Sequence, residues 1–368
     1  MVLNRSSRTV VKSAENATGE RVTTRVLVLA GGRSAERDVS LSTGAAVSHA
    51  LDESGSDVLF FDPASSHPPI TWTPDQAKTI IDRLPPDPSI MQVKGLPAGV
   101  AMTPADVPRA SFDGVDLVFV ALHGGDGENG RLQALLDTCG IAYTGSGMAA
   151  SSLAMDKHAS KRVFVAEQIP TPRWRMIERG RYPDIDPYEA QMGLPLIVKP
   201  NSQGSTVGLT LLKDKSQWRE ALDEGFRWDH RLLVEEYIAG REITVSVLGD
   251  EALPVVEIIP SHDLYDYECK YTSGGSQYVC PADLSQQQTE RVQEIGLQAF
   301  HALGCEGYAR VDFRMSPEGE FYCLEVNTLP GMTSTSLVPK AARAAGIEFP
   351  QLLQRICELA VQRHNRSR

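Results

Sequence analysis

The sequence predicts an α/β protein that opens with a parallel-sheet domain and continues into a longer region mixing strands with helices. Three observations predict it. From Val22 onward, strand patterns alternate with helix patterns. Glycine-containing polar loops follow several of the strands, at the carboxyl ends where α/β sheets bind ligands. Further on, residues 307–331, GYARVDFRMSPEGEFYCLEVNTLPG, read as two strands joined by a Pro-x-Gly turn at 316–320.

In order, the first strand is 26–30, ending in Gly31 and Gly32, and an Ala-rich helix runs toward Leu51. Residues 57–62 and 116–123 are further strands of the same sheet. Between them, 63–110 is Pro-rich and polar with a short amphipathic patch near Ile80, and reads as an insertion on the rim. One ligand-side loop carries Ser34, Glu36 and Ser40; the other, HGGDGENG, carries His123, Asp126 and Glu128. Their glycines admit a small ligand to the backbone, and the helix N-termini that follow attract an anion. Taken alone, Glu36 and Glu128 read more simply as acids in a first helical turn. GSGMAA at 145–150, with Glu167 downstream, matches a dinucleotide fingerprint. It follows a complete sheet instead of opening one, and Glu167 lies inside a helical pattern, so that reading is set aside.

A second domain starts near residue 149 with a helix over 151–168 that carries Lys157 and Lys161. A buried strand, 196–199, ends in Lys199, and NSQGSTVG follows at 201–208. That loop is either a plain surface hairpin or a cover for phosphates; Lys199 favours the second, because a lysine ending an apolar strand needs an anion or solvent. LLVEEYI at 232–238 ends a strand with two carboxylates and a tyrosine, and Glu242 follows a glycine turn. Ile243, Val245 and Val247 alternate as a half-buried strand that 254–260 can pair with. The Tyr-, Gly- and charge-rich stretch 265–282 reads as a lid. Helices over 285–303 and 350–362 back the strands.

In 307–331, alternation puts Arg310 and Asp312 on one face of their strand, and Glu325 and Asn327 on one face of theirs. If the faces coincide, they assemble a cation and three hard oxygen donors, which suits Mg²⁺ bound partly through a nucleotide's phosphates. Singly, each is an ordinary solvated charge. Val311, Phe313, Leu324 and Val326 alternate with them on the expected buried side.

The 47 acids and 36 bases leave a net charge of −11 without a basic run, which argues against a nucleic-acid partner. No apolar run spans a membrane, and the polar tail 1–21 lacks the apolar core of a secretory signal, so the chain is expected in the cytoplasm. Six cysteines without a CxxC pair suit reduced thiols; Cys269 alone has neighbours that suggest a reactive one, and nothing beside it marks a lowered thiol pKa.

With these segments in order, the sequence resembles the D-alanine:D-alanine ligases of the ATP-grasp superfamily over about residues 25–361. The resemblance rests on GGRSAERDVSLSTG, ALHGGDGENG, YTGSGMAASSLAMDKHASK, VKPNSQGSTVG, YDYECKY, GYARVDF and LEVNTLPGMTSTSLVP. It implies an N-terminal α/β domain (22–148) and an ATP-grasp pair of α+β domains (149–235 and 236–368), with ATP between two antiparallel-sheet lobes, in a homodimer. It implies that ATP phosphorylates one D-alanine and the amine of a second displaces phosphate, giving a dipeptide for peptidoglycan. Asp312, Glu325 and Asn327 resemble the ligands of two Mg²⁺ ions, with Mn²⁺ able to stand in. Lys157, Lys199 and Lys270 resemble phosphate contacts, and Glu235, Glu236, Tyr237, Ile238 and Glu242 the adenine and ribose contacts. Glu36 resembles the residue that holds the first ammonium, linked through Ser205 to Tyr271. Arg310 and the Gly331 N–H resemble the oxyanion site. Ser336 and Leu337 match the second-substrate pocket, and His123 lies near the first. Asn129 and Leu264 depart from residues common in the family. The retained Tyr271 favours an amine nucleophile over D-lactate.

The alternative kept is another ATP-grasp amino-acid ligase of a peptide pathway, which shares the scaffold; a non-catalytic nucleotide sensor could drop the metal ligands, which are present, and a dehydrogenase rests only on the glycine match already set aside.

Overall fold

A computed structural model describes residues 23–34, 36–64, 68–73, 75, 107–260 and 275–366. The polar tail, most of the insertion and the lid residues 265–274, with Cys269, Lys270 and Tyr271, lie outside the described residues.

Among the described residues, three sheets organise the chain. The first contains β1 (Arg25–Leu29), β2 (Asp57–Phe61), β3 (Ile70–Thr71) and β4 (Leu117–Val120), in the order β3-β2-β1-β4. β1 pairs in parallel with β2 and β4, and its residues from Val26 onward are buried, which is why β1 reads as an unbroken apolar run. The insertion adds an edge strand: β3 pairs antiparallel with β2, and Trp72 is buried against Phe60. Helix α1 (Arg37–Glu53) packs on this sheet. A Cβ at Gly44, within α1, would stand 2.3 Å from that of Ala30, which follows β1. Gly44→Ala gains up to about 1 kcal/mol of helix propensity but overpacks the interface at a cost of about 1–3 kcal/mol. The expected result is a lower melting temperature; a higher one would show that α1 lifts freely.

Helix α2 (Arg131–Cys139) ends at Gly140, whose φ of 67° is left-handed. The single helix expected over 151–168 is two, α3 (Met148–Met155) and α4 (Lys157–Ala166). The break is Asp156, extended in backbone, whose carboxylate accepts the Ala159 N–H at 2.9 Å and so caps α4. The GSG turn before α3 packs at the start of the 308–315 strand, with Ser146 Oγ accepting the Glu306 N–H.

The second sheet holds β5 (Trp174–Glu178), β6 (Leu196–Pro200), β7 (Thr210–Leu212) and β8 (Arg231–Glu236), ordered β5-β8-β6-β7 and antiparallel throughout. Helices α5 (Asp186–Met192) and α6 (Trp218–Trp228) accompany it; the sequence reading did not assign either. The third sheet runs β12-β11-β9-β13-β14, with β10 also on β9: β9 (Arg241–Leu248), β10 (Glu251–Ala252), β11 (Val256–Pro260), β12 (Ser276–Val279), β13 (Tyr308–Met315) and β14 (Phe321–Asn327). β11 pairs with β9. Residues 276–279, expected in the lid, form the edge strand β12 instead. Ser285 and Gln288 cap helix α7 (Gln286–Ala302) reciprocally. Helix α8 (Leu337–Ala344), unassigned from sequence, and α9 (Phe349–Arg366) carry the core of this sheet into that of the first, α9 lying against α1.

One expectation about β14 fails. β13 and β14 pair Asp312 with Glu325 and then Phe313 with Cys323, so Leu324 is the extra residue of a bulge. The bulge makes Cys323 the buried residue and leaves Leu324 only half-buried. No helix among the described residues is long and apolar enough to cross a membrane.

Candidate active site

The β13–β14 register sets Arg310 opposite Asn327 and Asp312 opposite Glu325, so the two predicted faces are one face. Asp312 accepts Arg310 Nε and Nη2, each at 2.8 Å, as well as Thr244 Oγ1 and Asn327 Nδ2, each at 2.8 Å. Lys157 Nζ lies 3.0 Å from Glu325 Oε2 and donates to the Gln203 carbonyl at 2.8 Å. Each carboxylate therefore carries a cationic neighbour. No group of three or more His, Cys, Asp or Glu residues suited to a metal occurs among the described residues. Two carboxylates and an amide fit a hard cation that draws its remaining ligands from water and phosphate.

This face forms one wall of a cavity of about 300 Å³ whose lining includes Glu36, His123, Ser205, Gly331, Ser336 and Leu337. Glu36 comes from the turn before α1, and its carboxylate lies between Gly124 and Gly204; a Cβ at Gly124 would stand 2.7 Å from Oε2. Ser205 Oγ donates to Glu36 Oε1, joining residues 169 positions apart. To reach it, Ser205 and Thr206 take φ of 48° and 59°, a strained region for side-chain-bearing residues. The base of this loop is fixed by Asp229, which accepts the Ser202 N–H at 2.8 Å. His123 is buried between Thr43 Oγ1, at 2.9 Å, and the Leu329 carbonyl, at 3.1 Å, and so ties α1 to the loop after β14. Ser336 precedes α8 and accepts the Thr333 N–H at 3.1 Å, and a Cβ on Gly331 would stand 3.1 Å from its hydroxyl.

Lys199 and Glu235 meet on the paired strands β6 and β8 of the second sheet. Glu235 is 2% exposed, with Lys199 Nζ 2.9 Å from Oε1 and Lys161 Nζ 2.7 Å from Oε2. Burial alone would raise its carboxyl pKa, but the two ammonium groups outweigh that and hold it below the ordinary value. Glu236 points elsewhere, into a two-point pair with Arg173 at 2.8 and 2.9 Å. The chain then crosses from β8 to β9, and Arg314 of β13 pins that crossing. It donates to the carbonyls of Ile238 at 3.0 Å and Gly240 at 2.8 Å, lies 3.4 Å from Glu242 and 5.6 Å from the Tyr237 ring. Sequence reasoning passed over Arg314, Thr244, Asp229 and Lys161 as site residues. Two had a signal: Arg314 continues the two-residue alternation of Arg310 and Asp312, and Lys161 lies one helical turn from Lys157.

Two family profiles match the chain, "D-ala D-ala ligase N-terminus" over residues 25–146 and "D-ala D-ala ligase C-terminus" over 163–358. The chain belongs to the D-alanine–D-alanine ligase family. Among relatives of that name, one from Synechococcus sp. (strain JA-2-3B'a(2-13)) is 41% identical over 339 residues, 92% of this chain and 93% of the relative. One from Gloeobacter violaceus is 41% identical over 336 residues, 91% and 98% of the two. The solved D-alanine–D-alanine ligase of Bacillus anthracis complexed with ATP superposes with a TM-score of 0.75 at 30% identity, covering 94% of this chain and 100% of that one. That of Coxiella burnetii gives 0.74 at 29% identity, covering 94% and 96%. With its ligase-family neighbours this chain shares a parallel-sheet α/β domain followed by the ATP-grasp pair of antiparallel sheets.

Proposed function

We propose that this chain joins two D-alanines at the expense of ATP, through a D-alanyl phosphate, in the cytoplasm, and supplies the dipeptide for peptidoglycan precursors. The observation that carries the reading is the single cavity in which Glu36 and Ser205 face Arg310, Asn327, Gly331 and Ser336. In it Glu36 accepts the ammonium of the first D-alanine, while that substrate's carboxylate lies toward the β13–β14 face. A carboxylate oxygen takes the γ-phosphoryl group and ADP is released. The second D-alanine, its carboxylate toward Ser336 and its side against Leu337, attacks the carbonyl carbon through its neutral amine. The C–N bond forms, Arg310 and the Gly331 N–H hold the resulting oxyanion, and phosphate leaves as the amine sheds its proton. Asp312, Glu325 and Asn327 would hold Mg²⁺, which when bound neutralises charge on the transferring phosphoryl group. Lys157 and Lys199 hold phosphates, the backbone of the 235–238 segment holds adenine and the Glu242 carboxylate holds ribose, while the Glu235 side chain stays engaged by the two lysines. Lys270 and Tyr271 join them in this reading.

The same reading divides the chain into units of 22–148, 149–235 and 236–368 and pairs it as a homodimer; light scattering that returned a monomer would remove the dimer. The activity is tested by phosphate release from ATP and Mg²⁺ with D-alanine, L-alanine, and D-alanine plus D-lactate, with products weighed by mass spectrometry. Dipeptide from D-alanine alone is expected. ATP hydrolysis with no dipeptide would move the function to another amino-acid ligase on this scaffold. Gly124→Ala crowds Glu36 Oε2 and strains a backbone at φ 70°, so the KM for D-alanine is expected to rise about tenfold, equivalent to roughly 1.4 kcal/mol. An unchanged KM would show that Glu36 does not contact that substrate.

A further inference from the structure

Lys161 is sealed from solvent at 0% exposure. Its ammonium donates to Thr171 Oγ1 at 2.6 Å and to the Pro172 carbonyl at 3.2 Å, lies 2.7 Å from Glu235 Oε2 and stands 5.3 Å from the centre of the Trp174 ring. Thr171 in turn donates to the Cys323 carbonyl on β14 at 2.7 Å, so the lysine sits where α4, the second sheet and the third sheet meet. Burying an ammonium costs several kcal/mol before pairing, and an apolar residue of that size would fill the space at less cost. Packing alone does not account for a lysine there.

The charges do. Lys199 and Glu235 by themselves form a neutral pair, and a neutral pair attracts a phosphate weakly. Lys161 takes the second oxygen of the same carboxylate, so the cluster holds two positive charges against one negative. Of the two lysines, Lys161 is closed in while Lys199 retains some exposure, so the surplus is expressed at Lys199.

We propose that Lys161 is a positioning residue for the nucleotide: it occupies one oxygen of Glu235 and thereby keeps the charge of Lys199 available to a phosphate. The inference rests on the reading of Lys199 as a phosphate contact. It makes Lys161 indifferent to the base and sugar.

The test is calorimetric binding of ADP and of adenosine to the full chain and its variants. Lys161→Gln keeps a donor for Thr171 and loses the charge; ADP is expected to weaken on the order of tenfold, with adenosine within about twofold. Lys161→Arg retains the charge and is expected to retain ADP affinity. ADP binding unchanged in Lys161→Gln, or adenosine weakened as much as ADP, overturns the proposal and leaves Lys161 structural. Lys199→Gln separates the two readings. If it leaves ADP binding unchanged, the phosphate contact itself falls; if it weakens ADP while Lys161→Gln does not, only the role of Lys161 falls.

Should Lys161→Gln fail to fold, the parent protein carries the test in its pH dependence. Burial pulls the Lys161 pKa down to about 8, against the Glu235 carboxylate that holds it up. The other titratable groups facing it are Lys199 on β6 and the Cys323 thiol on β14, which burial raises. Lys161 is charged below that value and neutral above it, so ADP affinity is expected to fall as pH rises through about 8 while adenosine affinity stays level. A level ADP profile overturns the proposal.

Discussion

Asp312→Asn is expected to lower kcat by roughly a thousandfold or more, the range in which removal of a charge-stabilising group at a phosphoryl-transfer site falls. The substitution is nearly isosteric but changes two things. It removes half of the carboxylate charge available to a divalent cation, and it turns an acceptor that serves Arg310, Thr244 and Asn327 into a group with an N–H₂ of its own. The second change leaves at least one of those donors facing another donor, at a cost of about 1–3 kcal/mol in stability. That is too little to unfold most domains, so the far-UV circular dichroism should hold while turnover is lost. Activity within tenfold of the parent would remove Asp312 from the site. A lost spectrum would make it a structural residue.

Glu36→Ala is expected to raise the KM for D-alanine about a hundredfold, from a charge-assisted hydrogen bond to an ammonium worth up to about 3 kcal/mol. ADP affinity should stay near that of the parent, because the residues read as holding phosphates, adenine and ribose do not line the cavity that Glu36 lines. Ser205 loses its acceptor at the same time, and its left-handed backbone loses the contact that holds it. Loop 201–208 should therefore become more susceptible to proteolysis. If the KM is unchanged and only the proteolysis changes, Glu36 is a tether for the loop and not a substrate contact.

The strand pair at 308–327 was legible in the sequence because alternation is a local property: any β-strand sends Arg310 and Asp312 one way and Val311 and Phe313 the other. It was legible only up to the bulge. Whether Leu324 or Cys323 faces the core depends on how many residues of β14 oppose those of β13, and pairing settles that. The helix break at Asp156 had its capping residue in plain view, but the apolar stripe ran across it. α5 and α8 were missed where proline and short length hid the helical period, whereas α6 showed it, with Trp218, Ala221, Leu222 and Phe226 on one face, and was passed over.

The sequence by itself determined which chemistry this protein carries: acids, lysines and glycine loops at strand ends, in an order that resembles one ligase family. Side-chain type and strand period are written residue by residue, so they survive without coordinates. Only the tertiary structure decided how those charges are divided. Glu235 and Glu236 are neighbours in sequence, yet one is buried between two lysines and the other is paired with Arg173. Ser205 and Glu36 meet across 169 residues. Charge partition of this kind depends on burial and on distances between remote elements, because a buried ion must find its partner in space.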